Sequence, residues 1–418
     1  MRPDEIRALG ELAGDAAASV AGQVREVHQG VAKRVFRYLG PTGAVVQTVH
    51  DRLADGAYTG AHTLTGAVVR GGAHAYSQTR SDDEPAMEES LTGRLAVGAL
   101  NGAWGDLLEQ RHSRLVTEMT LRSRSRDLTL NRQALADAFP VPSSRLAIFA
   151  HGLCETDDAW RLGAARHVPY GDRLESELGY TPLYLRYNSG LHISDNGRRF
   201  ALVLDELVRN WPVQIGEIAL IGHSMGGLVA RSACHYGTRG GWVQRVRHVF
   251  TLGAPHRGAS LEQAANVACS ALSALPETRP FARPLKIRSA GIKDLRYGYL
   301  IEEDWLDHDP DAFLRNTGRE LPFLKSANHY FVCATVSHDA DAPLSRMIGD
   351  LLVLRSSAWS HAKRGERMRF PVDQYSHVGG ATHFDLLNHP AIYGQIKGWL
   401  QAGHRGELPA GAEVYQPA

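Results

Sequence analysis

Residues 217–235, EIALIGHSMGGLVARSACH, constrain the fold more than any other stretch of the chain. Glu217 to Gly222 form a short apolar run without helical periodicity, which reads as a buried parallel strand. Leu228, Val229, Ala230 and Ala233 lie in a proline-free segment that reads as a helix. A strand that turns straight into a helix forces the residue at the turn, Ser224, into a strained backbone conformation. Gly222 and Gly226 then remove Cβ atoms that would collide where strand and helix cross, and the serine side chain stands clear above the sheet. Gly-x-Ser-x-Gly alone says little in a chain with 42 glycines. Its flanks and its distant partners have to carry the reading.

The surroundings agree with an open sheet. RLAIFAHG (145–152), TPLYLRY (181–187), VRHVFTLG (246–253) and HYFVCATV (329–336) are further apolar runs, and a helix is expected near Phe200 to Val208. Strands alternating with helical segments predict an α/β architecture, a mainly parallel sheet with helices on both faces. RLVTEMTLR and DLTL suggest short strands before it. There Arg122, Arg124 and Arg126 alternate as on one face of a solvated edge strand.

A serine hydroxyl at neutral pH needs a histidine as general base, and that histidine needs an acid to fix its tautomer. In the strand–turn–helix arrangement the acid follows the serine and the histidine comes last. Among the late histidines His377, His383 and His389, His383 in GGATHFDLL best suits a loop reaching back over the sheet, with His377 next. Asp350 in GDLLVLRSSA is the favoured acid, against Asp339 and Asp341 in SHDADAP. The oxyanion requires two backbone donors: the N–H of Met225, after the nucleophile, and that of Leu153 in AHGLCETDDAW. His151 is read as a packed residue without a role in proton transfer.

Taken together, HGL after a strand, GHSMGG, LGAPHRG (252–258), GDLLV and THFDLL resemble the α/β-hydrolase superfamily. Within it the chain resembles bacterial lipase/esterase proteins and the hydrolase domain of GPI inositol-deacylase-like proteins, over residues 145–402. The resemblance implies an α/β-hydrolase fold and carboxylic-ester hydrolysis through an acyl-enzyme, with no metal and no organic cofactor. An acyltransferase using the same triad, or a non-catalytic scaffold of this fold, are the competing readings. The sequence does not separate hydrolysis from transfer. About 70 residues follow LGAPHRG before the next strand, far more than a connection needs, and a lid over residues 258–328 is expected. Its apolar positions (Leu261, Val267, Leu272, Leu275, Phe281, Leu285) would line an acyl groove or pack the lid onto the body.

Residues 1–90 lie outside the resemblance and are read as a helical extension and linker. The catalytic domain is expected at 91–402 and a tail at 403–418. Val20, Val24, Val27, Val31 and Val35 make one apolar helix face, and a second segment carries Val45, Val49 and Leu53, so a helical hairpin is expected. Such a face has to be buried, against the hydrolase body, a second copy of the chain or a membrane surface. Contact with a partner subunit, as in a homo-oligomer, and peripheral membrane contact therefore enter as expectations. A net charge of +1 makes no case for nucleic acid. The substrate is expected to be a small-molecule or lipid ester. No HExxH motif or tight His/Asp cluster points to a metal. Cys234 and Cys333 are expected as buried free thiols. The N-terminus has no apolar signal core and no run reaches ~18 apolar residues, so the expected compartment is the cytoplasm.

Overall fold

The computed structural model describes residues 1–38, 43–259, 262, 288–309, 312, 316–337, 350, 353, 374–402 and 414–415. Two compact units emerge. The described part of the first is built mainly from Met1–Val97 and Leu108–Val116, and that of the second from Gly98–Leu107, Thr117–Gln263 and Ser289–Ala418.

In the first unit, helices α1 (Pro3–Tyr38) and α2 (Gly43–Ser77) form a hairpin. Helix α2 runs well past the apolar spacing at Val49 and Leu53, through the Gly/Ala-rich stretch. Small residues let the two backbones approach. A Cβ added to Gly10 would lie 2.2 Å from the Cβ of Ala73, and one on Gly14 would lie 3.1 Å from the carbonyl of Gly66. Ile6, Gly10, Gly14 and Ala18, four residues apart, make the buried face. Val20 is 59% exposed, and the side chains of Val24, Val27, Val31, Val35, Val45, Val49 and Leu53 lie outside the described residues. Ion pairs Asp15–Arg70 (2.7 Å) and Asp55–Arg25 (2.9 Å) run along the hairpin.

The second unit has an α/β-hydrolase fold. Its strands are β1 (Thr120–Ser123), β2 (Arg126–Asp127), β3 (Arg145–Ala150), β4 (Thr181–Arg186), β5 (Glu217–His223), β6 (Val246–Leu252), β7 (Phe323–Leu324), β8 (Asn328–Thr335) and β9 (Tyr375–Gly379). Eight of them form one sheet in the order β2-β1-β4-β3-β5-β6-β8-β9. The six from β4 to β9 in that order pair in parallel, and β1 is antiparallel to both neighbours. Strand β7 pairs apart from it with Val414–Tyr415.

Both faces are covered, which is why the central strands read as unbroken apolar runs. On one side Leu146, Ile148, Ile218 and Leu220 pack with α6 (Ile193–Asn210) and α7 (Met225–Tyr236) through Leu204, Leu207, Leu228 and Val229. On the other, Ala147, Phe149, Ala219 and Ile221 meet Leu174 of α5 (Tyr170–Leu178) and Ile392 and Ile396 of the C-terminal helix Pro390–Ala402. The alternation along β3 and β5 is the period-two geometry of a strand.

The arginine stripe is corrected. Arg124 and Ser125 are the turn of a tight hairpin, with φ of 48° and 63°, so 122–126 is not one strand face. Arg122 is buried, pairing with Asp127 at 2.7 Å and Asp157 at 2.8 Å. Cys234 and Cys333 are buried, and the Cys333 thiol lies 2.8 Å from Tyr375 Oη. Of the expected lid, Leu295, Leu300 and Ile301 join the core of this unit. Leu261, Val267, Leu272, Leu275, Phe281 and Leu285 lie outside the described residues.

Candidate active site

The site is built on the turn between β5 and α7. Ser224 has φ 51° and ψ −123°, a conformation a side chain adopts only under strain, and it sits immediately before the first helical residue, Met225. The turn is pinned from both sides: Ser224 N–H donates to the carbonyl of Leu252 at 2.8 Å, and Gly227 N–H to that of Ser224 at 3.1 Å. The glycines are required by close approach. A Cβ on Gly222 would meet the backbone of Gly226 and Gly227 at 2.4–2.5 Å. One on Gly226 would lie 2.2 Å from the carbonyl oxygen of Ala150, so this second glycine clears the end of β3 and not the strand–helix crossing.

His383 starts a short 3-10 turn, His383–Leu387, shaped by Asp385, whose Oδ2 accepts from the N–H and hydroxyl of Thr382, both at 2.7 Å. Its Nδ1 lies 2.7 Å from Asp350 Oδ2, and both side chains are almost wholly buried. Asp350 is held in turn: Val353 N–H donates to its Oδ1 at 2.8 Å, and its backbone carbonyl accepts from His383 N–H at 3.0 Å. With Nδ1 donating to the carboxylate, Nε2 is left as the basic nitrogen. That atom is buried and has no hydrogen-bond partner among the described residues. The His383 ring packs against Gly253, where a Cβ would come within 3.0 Å of Cε1, next to the Leu252 carbonyl that holds Ser224.

The loop after β3 closes over the serine, and a Cβ on Gly152 would sit 3.1 Å from Ser224 Cβ. Gly152 N–H donates to Glu155 Oε2 at 2.7 Å and Cys154 N–H to Ser189 Oγ at 3.1 Å, so both neighbours of Leu153 are anchored. His151 is fully buried and saturated: Nδ1 donates to the Gly152 carbonyl at 2.9 Å and Nε2 accepts from Tyr187 N–H at 3.4 Å. Burial holds its pKa below the ordinary histidine value. It is therefore a neutral packing residue, as its place in the sequence suggests.

The remaining sequence candidates are engaged elsewhere or undescribed. His377, on β9, bonds Thr335 Oγ1 at 2.8 Å, and His389 Nδ1 accepts from Ala391 N–H. Asp339 and Asp341 lie outside the described residues. Two residues that the sequence did not mark are drawn into the site, Glu155 and His223, 3.1 Å apart. The only signal available was a carboxylate in HGLCET and a histidine directly before the serine.

This arrangement of sheet, elbow and imidazole is that of the α/β-hydrolase fold. Residues 203–305 match the family model described as a PGAP1-like alpha/beta domain. Solved structures similar to the chain include a lipase, BlEst2, of Bacillus licheniformis, with 17% identity, TM-score 0.38, and coverage of 68% of this chain and 97% of that one. A protein of Listeria innocua has 14% identity and TM-score 0.37, covering 63% and 97%. An ester hydrolase, EH1AB1, from the metagenome of Lake Arreo has 13% identity and TM-score 0.33, covering 78% and 95%. No curated protein matches the chain in sequence.

Proposed function

We propose that the chain hydrolyses carboxylic esters through an acyl-enzyme, with Ser224 as nucleophile, His383 as general base and Asp350 as the group orienting it. The observation that carries this reading is the 2.7 Å contact of Asp350 Oδ2 with His383 Nδ1, which leaves Nε2 buried and free beside the elbow. Ser224 Oγ attacks the ester carbonyl while Nε2 takes its proton. The negative oxygen is received by the N–H groups of Leu153 and Met225. Collapse of the tetrahedral intermediate expels the alcohol, which takes the proton from His383. Water then repeats the sequence on the acyl-enzyme and releases the acid. The chemistry resides in residues 91–402 and requires no metal or organic cofactor.

An apolar acyl or alcohol group suits the rim of the site. Phe384, adjacent to His383 in sequence, exposes 49% of its surface, and the Leu153 side chain is only part-buried. The test is a series of p-nitrophenyl esters from acetate to long acyl chains, run with and without an added alcohol acceptor. Turnover by wild type and none by Ser224→Ala supports the proposal. Acyl transfer to the alcohol at the expense of free acid would move the reading to an acyltransferase. No turnover of any ester would sink it.

A further inference from the structure

We infer that Glu155 and His223 form a second carboxylate–imidazole couple behind the triad, positioning both the oxyanion loop and the backbone of the general base. The inference rests on the assignment of Ser224 and His383 above. Neither residue touches the reacting atoms in that mechanism, so both are positioning residues.

The geometry is a continuous chain of hydrogen bonds. Glu155 Oε2 accepts the N–H of Gly152, the residue before Leu153, at 2.7 Å. The same oxygen lies 3.1 Å from His223 Nδ1. His223 is the last residue of β5, directly before Ser224, and is wholly buried. Its Nε2 lies 3.1 Å from the backbone carbonyl of His383. One imidazole thus joins the loop that carries Leu153 to the turn that carries the base.

The protonation state follows from the partners. A carboxylate and a peptide carbonyl offer lone pairs only, so both ring nitrogens satisfy them only when both carry a proton. A neutral ring would set one nitrogen lone pair against an oxygen lone pair unless Oε2 carried the proton, and the Gly152 N–H donated to Oε2 favours that oxygen ionised. His223 is therefore an imidazolium paired with an ionised Glu155, and a buried charge is tolerable only when paired in this way. The groups facing the couple are His383 at 4.7 Å between ring centroids, Trp160 at 6.3 Å, the carboxylate of Asp350 and the neutral ring of His151. Burial works against both charges. Their mutual attraction and hydrogen bonds outweigh it, leaving Glu155 below and His223 above their ordinary pKa values. His223 therefore holds its proton to higher pH than a free imidazole, and Glu155 its charge to lower pH than a free carboxylate.

The experiment has two readouts. Nitrogen-15 spectra of the full chain at about pH 8, above the ordinary histidine range, should show an imidazolium with both nitrogens protonated that disappears in His223→Gln and in Glu155→Gln. In kinetics, Glu155→Gln should lower kcat by about 10²-fold, the scale of a small misplacement of catalytic groups, with KM little changed, and Glu155→Asp should recover part of the loss. Wild-type kcat in Glu155→Gln, or no such imidazolium signal in wild type, overturns the inference. Should Glu155→Gln fail to fold by circular dichroism, the wild-type and His223→Gln spectra decide. Fluorophosphonate labelling of wild type but not Ser224→Ala tests the underlying assignment separately.

Discussion

Asp350 holds His383 twice: its carboxylate meets Nδ1 at 2.7 Å and its backbone carbonyl accepts the N–H of the same residue at 3.0 Å. One contact sets the tautomer and the other the position of the turn. Asp350→Asn keeps the backbone bond and the shape but presents an amide to Nδ1. Its kcat is expected to fall by ~10⁴-fold, as when a triad acid is made neutral. His377→Gln, whose ring bonds Thr335, should change kcat little. Steady-state kinetics on one ester decides, and comparable losses in the two variants would reject the role of Asp350.

Ser224→Ala is expected to lower kcat by several orders of magnitude, leaving only the catalysis that binding and the oxyanion donors supply. Far-ultraviolet circular dichroism should be unchanged, since alanine removes only the hydroxyl. A fluorophosphonate that still labels the variant would place the nucleophile elsewhere.

Gly226→Ala tests the elbow without touching a reacting group. Its new Cβ would lie 2.2 Å from the Ala150 carbonyl oxygen and 2.4 Å from that of His151, both on backbone that cannot swing aside. Overpacking of this kind costs about 1–3 kcal/mol. Urea denaturation should show it as a lower midpoint at constant m value. An unchanged midpoint would mean that the end of β3 yields freely.

Acid sensitivity is expected from His329. It is buried, and burial together with the charge of Arg231 lowers its pKa from 6.5 to about 3, while its Nε2 accepts the N–H of Leu324 at 3.1 Å. Between those values the unfolded chain binds the proton and the folded chain does not, so stability rises with pH. The contribution is complete above 6.5 and is lost progressively as pH falls toward 3. His329→Gln keeps an acceptor for Leu324 but cannot titrate, and thermal melts should lose less stability between these pH values than wild type. A parallel loss would locate the sensitivity elsewhere.

In the helical hairpin, Gly10→Val should force α1 away from Ala73, since even a Cβ there would sit at 2.2 Å. A drop of about 1–3 kcal/mol is expected. Hydrogen exchange resolved by peptide should show it as faster exchange in 3–38 and 43–77. Unaltered exchange would mean that the close approach carries no stability.

The sequence by itself determined the local pieces of this protein. Short apolar runs without helical periodicity read as buried strands, and Ser224 with such a run before it and a proline-free apolar segment after it reads as a sharp strand-to-helix turn. Those signals lie within a few residues of one another, so they were legible without knowing where the chain goes next. Even there, the partner of Gly226 was not: it clears Ala150, which is adjacent only because β3 lies beside β5. Strand β9 was illegible for a related reason. It is a half-buried edge whose sequence, YSHVG, lacks an apolar run, and pairing with β8 makes it a strand. Chain order after the serine let Asp350 and His383 be named in advance, and tertiary structure brought them together at 2.7 Å, whereas tertiary structure alone joined Glu155 to His223 across 68 residues. It also turned Arg122 inward onto Asp157. A carboxylate carries no local mark of the cation it will meet, because the order of strands in the sheet, not spacing along the chain, decides which loops converge.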